Sequence, residues 1–190
     1  MSFYIEKKTK CLICGESIDS FKEAVLLPYV ISGKDSSLIP FVKKYVHRKC
    51  FDSWNKRDEF VQSSFKLGEN MIQEGFYHNV IFYDKYFIID YQKKEDIYKL
   101  TDFYLIFEIN INKEQAEDTV NFFKKVYLGD NSKLQLGNTV FNLQDKNILI
   151  IEYDKDEIKD EIIIPHSRIN DYILALNMIL KHKENNNREH

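Results

Sequence analysis

A chain of 190 residues that is 44% hydrophobic and 14% aromatic has the composition of a globular protein, with enough apolar side chains for one large domain or two small ones. Its 27 Lys and Arg against 30 Asp and Glu give a net charge of -3, which supplies no global electrostatic drive towards nucleic acid. The apolar runs fall short of the roughly 18 to 20 residues that a membrane-spanning helix needs, and MSFYIEKKTK lacks the apolar core of a signal peptide, so a cytoplasmic setting without a membrane partner is expected.

In chain order, AVLLPYVI (24–31) and LIPFVKKYV (38–46) read as the strands of a hairpin around SGKDSS, which has the composition of a turn. Pro28 and Pro40 each remove a backbone donor, so this hairpin is expected to be small and frayed. From His47 the pattern becomes helical, with Phe51, Trp54 and Val61 on one face. Residues 62–75 carry Gly68 and Gly75 without a clear period and mark the boundary between modules. The expected divisions are 1–66, 76–183 and a frayed tail 184–190.

Beyond the boundary, FYHNVIFYD, KYFIIDY and DFYLIFEINI read as strands. Asn112 with Gln115 resembles a capping box opening a helix along Ala116, Val120, Phe123 and Val126, and Gly129 is its expected C-terminal cap. Strands near 139–143, 147–153 and 161–164 lead to a last helix with a stripe of Ile169, Tyr172, Leu176 and Ile179, for which Ser167 is the expected cap. The expected class is α+β: a small N-terminal module, then a mainly antiparallel sheet with two packing helices. No sequence repeat and no glycine-rich phosphate loop is present.

The chain has three cysteines, and all fall in two pairs: Cys11 and Cys14 as C-x2-C, and His47 and Cys50 as H-x2-C, with 32 residues between the pairs. A two-residue gap lets both side chains converge on one ion, and Gly15 can take the backbone angles of the turn that follows. His47 at a helix entry and Cys50 in its first turn place the positive helix end beside a thiolate. A redox C-x2-C normally opens a helix after a strand, a context that CLICGESI lacks. A Cys3His set fills a tetrahedron, so the expected cofactor is one structural Zn2+.

CLICGESI followed by a hairpin and YVHRKCFDSW resembles a treble-clef zinc finger over residues 9–60, with a ligand order similar to the first half of a LIM domain. The resemblance implies a zinc knuckle, a β-hairpin and a helix carrying the last ligands, with Cys11, Cys14, His47 and Cys50 as the set. The long spacer and the absence of a second C-x2-C set depart from LIM domains. Treble clefs serve ribosomal, nuclease, ubiquitin-system and adaptor proteins alike, so the motif specifies a metal site and not a function.

Other chemistry is thin. His78 and His166 are isolated, as packed or capping histidines are, and Ser167 forms no nucleophile pair with its neighbour. The acidic run EYDKDEIKDE (152–161) reads as a charged hairpin turn, because Lys155 and Lys159 dilute it and its spacing is not that of a calcium loop. Lys43, Lys44, Arg48, Lys49, Lys56 and Arg57 are interleaved with aromatics and could contact phosphates, although Asp52, Asp58 and Glu59 interrupt them. With no credible catalytic set, the expectation is a non-enzymatic, bacterial-type zinc protein acting by contact with another protein. An immunity or defence accessory role is one form of such contact, and nucleic-acid binding through the basic hairpin and helix is the alternative.

Overall fold

The computed structural model describes residues 5–30, 37–77, 79–154 and 157–186, with the backbone alone for 152–154 and 157–160. The described residues form an α+β fold with four helices and three antiparallel sheets. The chain divides into two compact units, Met1–Phe76 and Tyr77–His190.

In the first unit, strands β1 (Ala24–Leu26) and β2 (Tyr45–His47) pair antiparallel, with Ala24 opposite His47 and Leu26 opposite Tyr45. The hairpin is shorter than the apolar runs that encode it. Pro40 opens a 3-10 turn at Ile39–Phe41, where a missing N–H costs nothing, and so ends the run before it can pair. Most of the expected turn, residues 32–36, lies outside the described residues, as does residue 31 of the first run.

The helical pattern after His47 forms two helices where one was expected: α1 (Arg48–Asp52) and α2 (Arg57–Gln73). Ser53 ends the first, donating both its N–H and its Oγ–H to the Lys49 carbonyl. The predicted face survives the break. Phe51 and Val61 are buried, and the Trp54 ring sits 4.5 Å from Phe41 and 5.8 Å from Phe60. Helix α2 also runs through the stretch expected to lack a period. Its buried positions are Arg57, Phe60, Val61, Ser64 and Gly68, a stripe at helical spacing whose later members are small. Gly75, at φ 78, closes it: Gly75 N–H donates to Ile72 and Phe76 N–H to Met71, the two bonds of a Schellman cap.

The second unit repeats one order of elements, a four-stranded meander followed by a helix. Strands β3 (Val80–Asp84), β4 (Phe87–Gln92), β5 (Ile97–Asp102) and β6 (Phe107–Asn112) form one sheet in that order and precede α3 (Ala116–Tyr127). Strands β7 (Lys133–Leu136), β8 (Thr139–Gln144), β9 (Asn147–Asp154) and β10 (Glu157–Ile164) form the other and precede α4 (His166–Asn186). The last helix therefore continues through residues 184–186, which were expected to fray; 187–190 lie outside the described residues.

Two hairpins turn through pairs of left-handed residues, Lys85–Tyr86 (φ 50 and 69) and Asp145–Lys146 (φ 48 and 67). Both occupy the two-residue loops that match strand twist, although neither contains the usual Asn-Gly or Asp-Gly. The expected capping box does not form. Asn112 makes no side-chain cap bond, and a 3-10 turn at Lys113–Gln115 leads into α3. The C-terminal end is as expected: Gly129, at φ 89, donates to Val126, and Asp130 N–H to Lys125. At the start of α4 the expected Ser167 cap is replaced by Asn147, whose Oδ1 accepts the His166 N–H at 3.1 Å.

One apolar core joins both sheets and both helices of this unit. Phe123 of α3 stacks on Tyr172 of α4 with centroids 5.2 Å apart, Tyr172 meets Phe87 of β4 at 4.7 Å, and Phe123 meets Phe141 of β8 at 6.2 Å. Each fully buried side chain of this size contributes roughly 1.5–3 kcal/mol. Within the core lies a closed polar knot. Asp102 Oδ1 accepts the N–H groups of Tyr104 (2.7 Å) and Leu105 (3.1 Å), and its Oδ2 accepts Arg168 Nη2 (3.1 Å) and the Tyr172 hydroxyl (2.6 Å). Burial pushes the Asp102 carboxyl up, against the pull of Arg168, Tyr172 and the two N–H groups. The Arg168 guanidinium also lies over the rings of Tyr104 and Phe87, at 4.5 and 5.0 Å.

Candidate metal centre

The four residues singled out by spacing converge. Their ligand atoms, three sulfurs and one imidazole nitrogen, all lie within 4.8 Å of one another. Local backbone bonds explain the first pair. Residues Lys10 and Ser17 bridge antiparallel, Cys11 N–H donates to the Glu16 carbonyl (2.8 Å), and Gly15 N–H donates back to the Cys11 carbonyl (2.8 Å). Gly15 takes φ 82, the left-handed angle its position in the turn requires. The second pair comes from the end of β2 and the start of α1, with His47 as the helix N-cap and Cys50 in the first turn. Leu12 N–H donates to the Tyr45 carbonyl at 3.3 Å and ties the two segments together.

The imidazole orientation identifies its ligand atom. His47 Nε2 is 3.2 Å from the Ser17 carbonyl oxygen. A carbonyl can only accept, so Nε2 carries the proton and Nδ1 keeps its lone pair. Nδ1 is the atom that faces the sulfurs, 3.4 Å from Cys14 Sγ and 3.8 Å from Cys50 Sγ. Bonds of about 2.3 Å to sulfur and about 2.0 Å to nitrogen give a tetrahedral zinc site an S···N edge of about 3.5 Å, which these distances straddle. A backbone acceptor on the far nitrogen is the usual second contact of a metal-binding histidine. The set could hold a metal ion and fits zinc.

Solvation differs across the site. Cys11 and His47 are buried, Cys50 is half-buried and Cys14 exposed. Burial pushes the Cys11 thiol up, but N–H groups of Cys14, His47 and Ile13 outweigh it and hold it down at about 7. One of these bonds is His47 N–H to Cys11 Sγ at 3.3 Å. Cys50 is pushed up to about 11, by loss of solvation and by the neighbouring Cys14 and Cys11 sulfurs. The five-residue α1 places its N-terminal end beside Cys50, as expected. Three thiolates at this separation are compatible once a divalent cation lies among them.

The six candidate phosphate contacts occupy three successive places. Lys43 and Lys44 precede β2, Arg48 and Lys49 open α1, and Lys56 and Arg57 open α2. Lys44 and Lys49 are exposed, and Lys43 lies 4.6 Å over the Tyr29 ring. Arg57 is withdrawn from this surface: it is buried, 5.3 Å over the Phe51 ring and 3.9 Å from Asp52. His166, exposed at the start of α4, stacks on Tyr127 at 5.8 Å. His78 and the Lys155–Asp156 turn lie outside the described residues.

Sequence reasoning missed the Ser17 carbonyl, because a backbone acceptor leaves no mark on residue type. No described helix is long and apolar enough to cross a membrane. No protein-family model, curated protein or solved structure matches the chain.

Proposed function

We propose that the first unit is a treble-clef-type zinc module, LIM-like in ligand order, whose single Zn2+ is structural and whose task is contact with another protein. Four protein ligands complete a tetrahedron and leave no position for water or substrate, which supports a structural rather than catalytic ion. The observation that carries the contact role is where apolar surface remains. Of the twelve large apolar side chains exposed among the described residues, seven belong to the smaller unit: Ile5, Leu12, Phe21, Leu26, Tyr29, Ile39 and Phe76. Such surface on a small module is a cost unless a partner covers it.

The test is affinity capture from the native host with the intact metal-loaded chain and with Cys14→Ser, followed by identification of bound proteins. A protein retained by the first and lost by the second supports the reading; equal recovery contradicts it. A second reading, nucleic-acid contact through Lys43, Lys44, Arg48, Lys49 and Lys56, is supported by the exposure of Lys43, Lys44 and Lys49. It predicts oligonucleotide binding whose steep salt dependence is lost on Lys43→Ala, Lys44→Ala and Arg48→Ala substitution.

A further inference from the structure

Beside the metal centre lies a groove of about 350 Å³. Of its lining residues, Ile5, Leu12 and Tyr45 make up the apolar part, termed its floor, and Lys8, Lys10 and Lys44, with Thr9, the polar part, termed its rim. We infer that this groove docks a short acidic protein segment through one apolar anchor side chain, an inference that rests on the contact role proposed above.

The floor asks for an apolar ligand. Ile5 and Leu12 remain 54% and 43% exposed, two aliphatic side chains left in water next to one another's cavity. The rim asks for a negative one. Lys8, Lys10 and Lys44 are exposed, and among the described residues no carboxylate pairs with any of the three. The backbone nearby is satisfied internally. Ile5 N–H donates to Thr9 Oγ1 (2.7 Å), the Ile5 carbonyl accepts from Lys8 and Thr9, and Leu27 N–H donates to the Lys44 carbonyl (2.9 Å). What the groove offers a partner is therefore apolar area with three exposed lysines in its lining.

That chemistry favours a peptide over a nucleic acid. Sequence-tolerant strand binding relies on aromatic platforms for bases, and the floor has one half-buried tyrosine beside two aliphatic residues. The rim has lysines and no arginine, point charges without the planar fork that grips phosphate in two places. Carboxylates around an aliphatic or aromatic anchor complement both parts.

The groove is also coupled to the ion. Its two walls are the segments that carry the ligands: Lys10 and Leu12 flank Cys11, and Tyr45 lies two residues before His47. The Leu12 N–H to Tyr45 carbonyl bond joins them at the floor. Loss of the metal should separate the walls and abolish docking.

The experiment uses the full metal-loaded chain and a short fluorescein-labelled peptide of aspartate and glutamate around one central phenylalanine, followed by anisotropy. Binding is expected to weaken with salt and to fall at least about tenfold in the Lys8→Glu, Lys10→Glu, Lys44→Glu triple variant, on the scale of lost charge pairs and desolvated contacts. Full metal content and unchanged Trp54 emission establish that this variant is folded. Leu12→Ser, or serine in place of the peptide's phenylalanine, is expected to weaken binding by about tenfold, as loss of an apolar anchor does. Lys93→Glu with Lys94→Glu, exposed lysines of the second unit, leaves it unchanged. No peptide binding, binding that survives the triple reversal, or tighter binding of a single-stranded oligonucleotide lost with the same substitutions overturns the inference. A host protein captured equally by the intact chain and the triple variant sinks the groove and keeps the contact reading. No host protein captured by the intact chain sinks both.

Discussion

The two units of this chain are held together by different means. The second is a continuous apolar core in which two four-stranded meanders and two helices share residues such as Phe123, Tyr172 and Phe141. The first has a hairpin of three-residue strands, the five-residue helix α1, the longer helix α2 and an aromatic cluster of Phe41, Phe51, Trp54 and Phe60. A unit of that size is marginal by packing alone. The difference is that the second unit is stabilised by area removed from water, whereas the first brings residues 11–14 and 47–50 together around a set that could hold one metal ion.

The largest expected effect breaks the first unit alone. Cys14→Ser removes an exposed ligand without opening a cavity, yet a structural zinc contributes on the order of 10 kcal/mol to a module of this kind. Elemental analysis should find less than stoichiometric zinc, and circular dichroism should show a loss of helix signal from α1 and α2 while the sheet signal of the second unit persists. Full zinc content in this variant would refute the ligand assignment.

The converse substitution is Asp102→Ala, which strands the buried Arg168 and the Tyr172 hydroxyl in the core. Removing one member of such a pair costs about 3–5 kcal/mol. Urea unfolding followed by tyrosine fluorescence should shift to lower denaturant, with metal content unaltered. If metal is lost as well, the two units are not independent. A finer probe is Gly15→Ala: nothing lies within 4 Å of the added Cβ, so the cost is that of a left-handed alanine, about 1 kcal/mol or about fivefold in metal affinity. Competition with a chromophoric chelator measures it, and the melting of the second unit should not change.

The smallest effect is a pH dependence in the second unit. His182 accepts or donates to the Tyr98 hydroxyl at 3.2 Å, and burial, with the Lys113 charge behind it, holds its imidazole below the ordinary value of 6.5. The folded state favours the neutral ring, so its contribution is complete above pH 6.5 and is lost progressively as pH falls below that value. A slight fall in the melting temperature of the second unit over that range, flattened by His182→Gln, is the expected result.

What the residues disclosed in advance follows the physics of each signal. The metal set was legible because thiol and imidazole ligands must recur at short spacings whatever the fold around them. The helices α3 and α4 were legible from apolar stripes, and the Gly129 cap from its residue type. Strand β5 was missed because the buried side of its alternation ends in Asp102, and because the turn after it, Phe103 to Ile106, is apolar and reads as strand. That turn is made by the Asp102 carboxylate bonding Tyr104 and Leu105, a long-range arrangement completed by Arg168. The short edge strand β7 left only KLQL before Gly137 as a trace. Helix α2 was obscured because Ser64 and Gly68 stand where a periodicity search looks for large apolar residues. The groove was invisible for a similar reason: Lys8, Lys10 and Lys44 become neighbours of one cavity only when the knuckle meets β2.

Trp54, the single tryptophan of the chain, lies in the first unit and makes the central claim directly measurable. Zinc should be removed from the intact chain with a chelator and then titrated back, with tryptophan emission and far-ultraviolet circular dichroism followed together. The account predicts one zinc per chain, a Trp54 emission that shifts to that of a solvent-exposed indole on removal and returns on titration, and a sheet signal that persists throughout. A metal-free chain with unchanged Trp54 emission, or a sheet that collapses along with it, would contradict the account.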